Sequence, residues 1–263
     1  MIRSLYTAAT GMAAQQLEQD VIANNLANIN TTGFKKSRAN FQDLMYQIIS
    51  KAGAADAAGV QLPAGIEIGM GVKPVSTQKI FSQGDYQQTG NPLDMAIEGD
   101  GFFQIEDVNS NGGFAYTRAG SFKVDKDGNI VNSDGMKLIP SMTVPADTVV
   151  ITIDKSGMIT RTDSKGTLSQ IGQIQLATFL NPAGLSSIGR NLYNKTDASG
   201  EASVGNPNLD GKGTISQNFL EMSNVNVIDE MVKMITGQRA YEINSKSIQT
   251  ADNMLGIINN LKR

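Results

Sequence analysis

The sequence predicts an α+β protein, in which helices at the N- and C-termini pair as an antiparallel, coiled-coil-like inner domain around a nested all-β central body. Three observations predict it. Residues 3–29 and residues 223–263 each carry apolar or small side chains at steps of three and four, the period of a helix face. Between them, from 75 to 221, short β-prone runs are separated by turn signals such as Gly99-Asp100-Gly101, Asp127-Gly128-Asn129 and Asp134-Gly135. No stretch alternates strands with helices, as a parallel sheet would need.

The C-terminal helix is the best defined element. Asn226 is placed as its N-cap, Asp229 as a capping-box partner, and Glu230 adds a second anion to the first turn. An apolar or small seam follows through Ile228, Met231, Ile235, Gln238, Tyr241, Ser245, Ile248, Ala251, Leu255, Ile258 and Leu261. At about 1.5 Å per residue such a helix is roughly 50 Å long, more than a domain of this size hides along its whole length. It needs a partner.

The N-terminal helix offers a broad, Ala-rich face with Leu5, Ala9, Met12, Ala13, Leu17, Val21, Ile22 and Leu26. Asn24, Asn25, Asn28 and Asn30 crowd its end, and Gly33 is placed to adopt a left-handed conformation that stops it. Buried asparagines on a helix seam fix register. Each helix is too weakly apolar to stand alone, so the two pair, and both ends order fully only against neighbouring copies.

Residues 34–48 fit either a short helix or an extended arm, and 51–65 read as a long, small-residue loop. In 66–72, Ile66, Ile68, Met70 and Val72 alternate with polar residues and glycine, the pattern of one strand. The body then offers strands near 94–98, 101–105, 115–118, 121–124, 129–131, 148–153, 158–161, 173–179 and 213–217. Its core draws on Phe102, Phe103, Phe114, Tyr116, Phe122 and Phe219.

Composition excludes several functions. The chain has 263 residues, 40% of them apolar, enough for a core, and a net charge of −3 with scattered Lys and Arg. That gives no electrostatic footprint for nucleic acid or an anionic membrane. Cysteine, histidine and tryptophan are absent, which removes thiol nucleophiles, thiolate metal sites and the usual proton shuttle near neutral pH. No stretch is apolar enough for a secretory leader or a membrane span, so no membrane insertion is expected.

Local motifs add no chemistry. Asp125, Asp127 and Asn129 have oxygen ligands in the wrong order for a calcium loop, and a hairpin turn accounts for them. Gly65, Gly69 and Gly71 lie inside an alternating strand, the wrong context for a dinucleotide loop. Asp94, Glu98, Asp100 and Glu106 are candidate carboxylates for glycan cleavage, which makes a periplasmic peptidoglycan hydrolase the rival enzyme class. Nothing fixes a carboxylate pair across a cleft. The chain is therefore read as non-enzymatic, with no catalytic residue, cofactor or metal.

Three stretches carry a resemblance: VIANNLANINTTGFKKSRANFQDL (21–44), GDGFFQI with YTRAGSFKVDKDGNIV (99–105, 116–131), and SNVNVIDEMVKMITGQRAYEINSKSIQTADNMLGIINNL (223–261). Together they resemble the bacterial flagellar axial proteins, the rod and hook family, over nearly the whole chain. The stretch 46–73, with LPAGIEIGMGVKP, and NLYNKTDASGEASVGNPN (191–208) are most similar to the family's distal rod branch. A proximal rod or hook subunit is the alternative within the family.

The resemblance implies a structural subunit that self-assembles into a rigid drive shaft, transmitting torque from motor to hook and enclosing an export channel. It implies an inner helical domain of 1–30 with 225–263, a connecting layer of 31–72 with 209–224, and an outer all-β domain of 73–208. The expected self-assembly interface comprises Leu5, Met12, Leu17, Val21 and Leu26 with Ile228, Met231, Ile235, Tyr241, Ile248, Leu255 and Ile258. The expected rod-stiffening arm comprises Leu62, Pro63, Ile66, Ile68, Met70 and Val72. Implied partners are further copies, the proximal rod, hook, rod cap, and the periplasmic and outer-membrane rings. The implied place is the flagellar basal body, crossing the periplasm to the outer membrane, reached through the flagellar type III export apparatus without a cleaved signal peptide.

Overall fold

The computed structural model describes residues 2–50, 64–107 and 113–261, and is α+β, with a helix at each end and a β-rich body. Its contacts group it into two units: Met1–Leu26, Ser37–Gln78 and Asn226–Arg263 form the first, and Ala27–Lys36 with Lys79–Val225 the second.

In the first unit, α1 (Ile2–Ala27) and α2 (Val227–Leu261) are the two helices. Proline is absent from both, and alanine and long unbranched residues favour the helical backbone. They touch in opposite order along their lengths. A methyl group at Gly11 of α1 would stand 3.0 Å from the Asn244 side chain, and one at Gly237 of α2 would stand 3.3 Å from that of Gln15. Further along, Asn25 donates to Glu230 at 3.2 Å.

The residues turned inward differ from the expected seam. Buried positions on the helices are Ala8, Ala14, Ile22 and Asn25 on α1, and Glu230, Gly237 and Ala251 on α2. Of the described members of the α2 seam only Ala251 is buried, and Ile228 is 72% exposed. Glu230, Gly237, Asn244 and Ala251 instead recur at seven-residue intervals, so small and polar side chains line the close contact. The bulky residues fall on the outside because a seam of glycine and alanine lets the backbones approach more closely than isoleucine would.

The rest of this unit is extended. Ser37–Asp43 pairs with Val72–Lys79, and Tyr46–Ser50 pairs antiparallel with Ile66–Gly69. The segment after α1 is thus an arm of strands rather than a helix. The expected single strand 66–72 is broken at Met70-Gly71, where Gly71 takes φ +112 with the Thr10 side chain filling the place of a Cβ. Only glycine combines that backbone with that contact.

The second unit holds the core. A seven-stranded antiparallel sheet runs Ser186–Gly189, Leu192–Asn194, Phe114–Thr117, Phe102–Glu106, Leu176–Thr178, Ser203–Gly205, with Leu138–Ile139 also paired to Phe102–Glu106. Both faces are covered. Phe103, Ile105 and Ala115 belong to one apolar cluster with Phe122, Ile130 and Ile159, whereas Phe102, Tyr116 and Tyr193 belong to another with Phe179. Two-sided burial explains why GFFQI lacks polar alternation. Rings meet edge to face, Tyr116 with Phe179 at 4.8 Å and Phe103 with Phe122 at 5.2 Å. Of the expected core aromatics, Phe114 is exposed at a strand end and Phe219 is half-buried.

A three-stranded meander, Thr148–Ile153, Met158–Asp163 and Leu168–Gln173, adds Ile153 and Ile159 to the core. The returning chain pairs Thr214–Gln217 with Met95–Glu98 and Phe219–Glu221 with Tyr86–Gln88. No helix among the described residues is long and apolar enough to cross a membrane.

Candidate functional site

Two features stand out, one in each unit: the outward helix faces and a buried ionic cluster. The first starts from the helix cap. Asn226 Oδ1 accepts the N–H groups of Ile228 at 3.0 Å and Asp229 at 3.4 Å, as its N-cap position predicts. One turn in, Glu230 is buried, and Lys233 donates to it at 2.8 Å. Asn25 grips the chain beyond α1 by both backbone groups of Ser37, donating to its carbonyl and accepting its N–H at 2.9 Å each. A buried asparagine therefore holds strand and helices in register.

With the small residues inside, the large ones face out. Ile228, Met231, Ile235, Tyr241, Leu255 and Ile258 are exposed, as are Val232 and Ile243, which the sequence reading did not select. Ile248, and Leu5, Met12, Leu17, Val21 and Leu26 on α1, are half-buried. A groove of about 1000 Å³ in the same unit is lined by Arg3, Thr7 and Ala8 of α1, Ile68 of the arm, and Ser247 and Leu255 of α2.

The arm is similarly bare. Tyr46, Ile48, Ile49, Ile66 and Ile68 are exposed, and Met70 and Val72 half-buried. Leu62 and Pro63 lie outside the described residues.

The second feature was not anticipated. Glu221 is fully buried and takes Lys35 Nζ on one oxygen at 2.5 Å and Arg118 Nε on the other at 2.6 Å. The Gly84 N–H also donates to it at 2.9 Å. Both cations have further partners: Lys35 donates to the Ser82 carbonyl at 2.7 Å, and Arg118 to the carbonyls of Gly101 and Gly99 at 2.6 Å each and of Ile97 at 3.1 Å. Burial alone would push the Glu221 carboxyl up, but Arg118, Lys35 and the Gly84 N–H together hold it below the usual carboxyl value. Burial pulls the Lys35 ammonium below its usual value, only partly opposed by Glu221.

The neighbouring backbone is stitched around this cluster. Gly33, with the expected left-handed φ of +68, donates its N–H to the Glu221 carbonyl at 2.8 Å. Three residues on, Asn224 accepts the Lys36 N–H at 2.8 Å and donates to the carbonyls of Ile80 at 2.8 Å and Ser82 at 3.2 Å. Ile80 N–H donates to the Lys36 carbonyl at 2.9 Å.

The remaining candidates are engaged locally. Asp125 and Asn129 close a hairpin, with the Asp125 N–H donating to the Asn129 carbonyl at 2.9 Å. Among the described residues no group of acidic side chains is arranged to hold a metal. Asp94 is buried and accepts from Asn91 at 2.9 Å, and Glu98 accepts hydroxyls of Ser216 and Thr214.

Comparison with known proteins matches the same regions. Residues 5–35 match the family model described as flagella basal body rod protein, 96–161 that of the flagellar hook protein FlgE/F/G D1 domain, and 216–261 that of the flagellar basal body rod FlgEFG protein C-terminal. The flagellar basal-body rod protein FlgG of Borreliella burgdorferi is 50% identical over 100% of both chains. Its counterpart in Caulobacter vibrioides is 46% identical over 99% of this chain and 100% of its own. That of Bacillus subtilis is 41% identical over 100% of both. A solved flagellar hook protein, FlgE2 of Helicobacter pylori, aligns with 71% of this chain and 43% of its own at 15% identity and a TM-score of 0.25, too low to bear on the fold.

Proposed function

The chain belongs to the family of the flagellar basal-body rod protein FlgG and is a structural subunit of the basal-body rod, and we propose that copies assemble into its rigid distal part by burying their outward helix faces against one another. The observation that carries this reading is the row of exposed isoleucine, methionine and leucine side chains along α2, from Ile228 to Ile258. So many large apolar side chains left exposed along one helix are unusual on a protein that works as a monomer. Contacts between unlike faces that do not close into a ring generate a helical filament.

In this reading α1 and α2 act as an antiparallel coiled-coil-like pair, 1–30 with 225–263, lining an export channel. Residues 31–72 with 209–224 form a connecting layer, and 73–208 the outer body. The half-buried residues Leu5, Met12, Leu17, Val21 and Leu26 complete the interface on α1. The arm, with Ile66, Ile68, Met70 and Val72 and the adjoining Leu62 and Pro63, braces neighbouring copies. The proximal rod, hook, rod cap and surrounding rings are the neighbours, in a rod that crosses the periplasm. The role needs no catalytic step and no cofactor.

The test is assembly itself. Purified full-length chain should form straight filaments under polymerising conditions, seen by negative-stain imaging. A variant with Ile228→Gln and Ile235→Gln should need about tenfold or more higher concentration, taking roughly 1–2 kcal/mol per buried contact residue. Its unfolding in dilute solution should shift by only about 0.5 kcal/mol per site, because both side chains are exposed there. Equal assembly by variant and parent would remove α2 from the interface.

A further inference from the structure

We infer that Glu221 and Asn224 form a two-level collar that makes the root of the β-body resist twisting, an inference that rests on the torque-bearing reading above. The chain leaves the body after Lys36, re-enters at Lys79 and leaves again after Val225. Three segments therefore run together at the root, and a lone extended segment swivels freely about its backbone torsions. Here all three are tied side by side, twice.

The inner tie is ionic. Glu221, on the departing segment, binds Lys35 on the first and the Gly84 N–H on the second, while Arg118 anchors it to the main sheet. The outer tie is the amide of Asn224, which takes the Lys36 N–H and gives to the carbonyls of Ile80 and Ser82. One tie alone acts as a pivot. Two ties, three residues apart on one segment, fix direction as well as position.

The chemistry of each level suits its place. The inner level is sealed from water, so opening it exposes a carboxylate and two cations whose solvation was replaced by these partners alone. The outer level uses a neutral amide, because Asn224 is only half-buried and an amide both donates and accepts. None of these bonds is needed to complete the apolar clusters of the body, which contain neither residue. Their shared property is that each joins segments far apart in sequence at the place where the chain passes in and out.

Hydrogen exchange on the full-length chain, with Asn224→Ala and Glu221→Gln, tests this. In Asn224→Ala the Lys36 and Ile80 amides should exchange about tenfold faster, the loss of one or two hydrogen bonds. Amides of Phe103 and Ile105 in the main sheet should keep their parental rates. In Glu221→Gln the Gly33 and Gly84 amides should join the faster set. Filaments of Asn224→Ala, fixed at one end and carrying a bead at the other, should show larger angular fluctuation than parental filaments. Unchanged root amides, or variant filaments as stiff in torsion as the parent, would overturn the collar. Failure of the parental chain to form filaments would instead overturn the rod reading, whatever the exchange rates show.

Discussion

At the scale of single residues, Glu221 carries more of the body's electrostatics than any sequence pattern around it suggests. It is the sole carboxylate bonded to either of two buried cations, Lys35 and Arg118, among the described contacts. Removing it as Glu221→Ala strands both and should cost about 3–5 kcal/mol, readable in urea unfolding of the full chain. The pH dependence follows from the direction of its shift. The folded carboxyl is held below the usual value of 4.5, so on acidification the unfolded chain takes up this proton first. The stabilisation is complete at neutral pH and falls away as pH drops below about 4.5 through the folded value. Thermal midpoints measured from pH 7 downward should therefore fall more steeply for the parent than for Glu221→Gln, and parallel curves would contradict the assignment. None of this was legible in the sequence. Lys35 and Glu221 lie 186 residues apart and each looks like an ordinary surface charge, whereas the cap of Asn226 was readable because the N–H groups it accepts lie within three residues, and the left-handed Gly33 because it follows the Asn-rich end of a helix.

At the scale of elements, local signals located the helices and strands such as Phe102–Glu106 and Met158–Asp163, but not Val72–Lys79 or Leu168–Gln173, and failed where a neighbour decides the outcome. The strand Thr148–Ile153 falls where its β-branched run places it, but Ser186–Gly189 and Ser203–Gly205 are short, polar edge strands with no alternation to read. The inward seam of α2 was missed for a related reason. Period alone identifies an apolar stripe, yet Gly237, which is outside it, and Ala251, its smallest apolar member, win the close contact because they are small, which leaves bulky members such as Ile228 and Ile235 outside. The arm shows the same dependence: Gly71 breaks its alternation because Thr10 occupies the space beside it. What remains is the two-stranded ribbon of Tyr46–Ser50 and Ile66–Gly69, apolar on both faces, a form that is marginal unless something packs on it. If neighbouring copies do so, deleting residues 52–63, which adjoin the ribbon, should give filaments of measurably shorter persistence length in negative-stain images. Filaments as straight as the parent's would count against a bracing arm.

At the scale of the whole molecule, the two units are unequal in what they bury. Among the described residues the body holds seventeen buried residues in one apolar cluster and six in another, enough for cooperative stability of its own. Among the described residues the buried apolar side chains of the two helices are Ala8, Ala14, Ile22 and Ala251, which remove little surface from water. A helix pair with so small a core draws its remaining stability from whatever covers its outward face, and that contribution grows with the concentration of the partner. Heating dilute full-length chain should accordingly give two transitions: an early loss of helical circular dichroism and a later loss of the aromatic signal from the Phe103 and Tyr116 clusters. Raising protein concentration toward the point of assembly should move the first transition upward and leave the second in place. A single transition independent of concentration would mean that the helices are held within one molecule after all, and that their exposed faces contribute nothing to assembly.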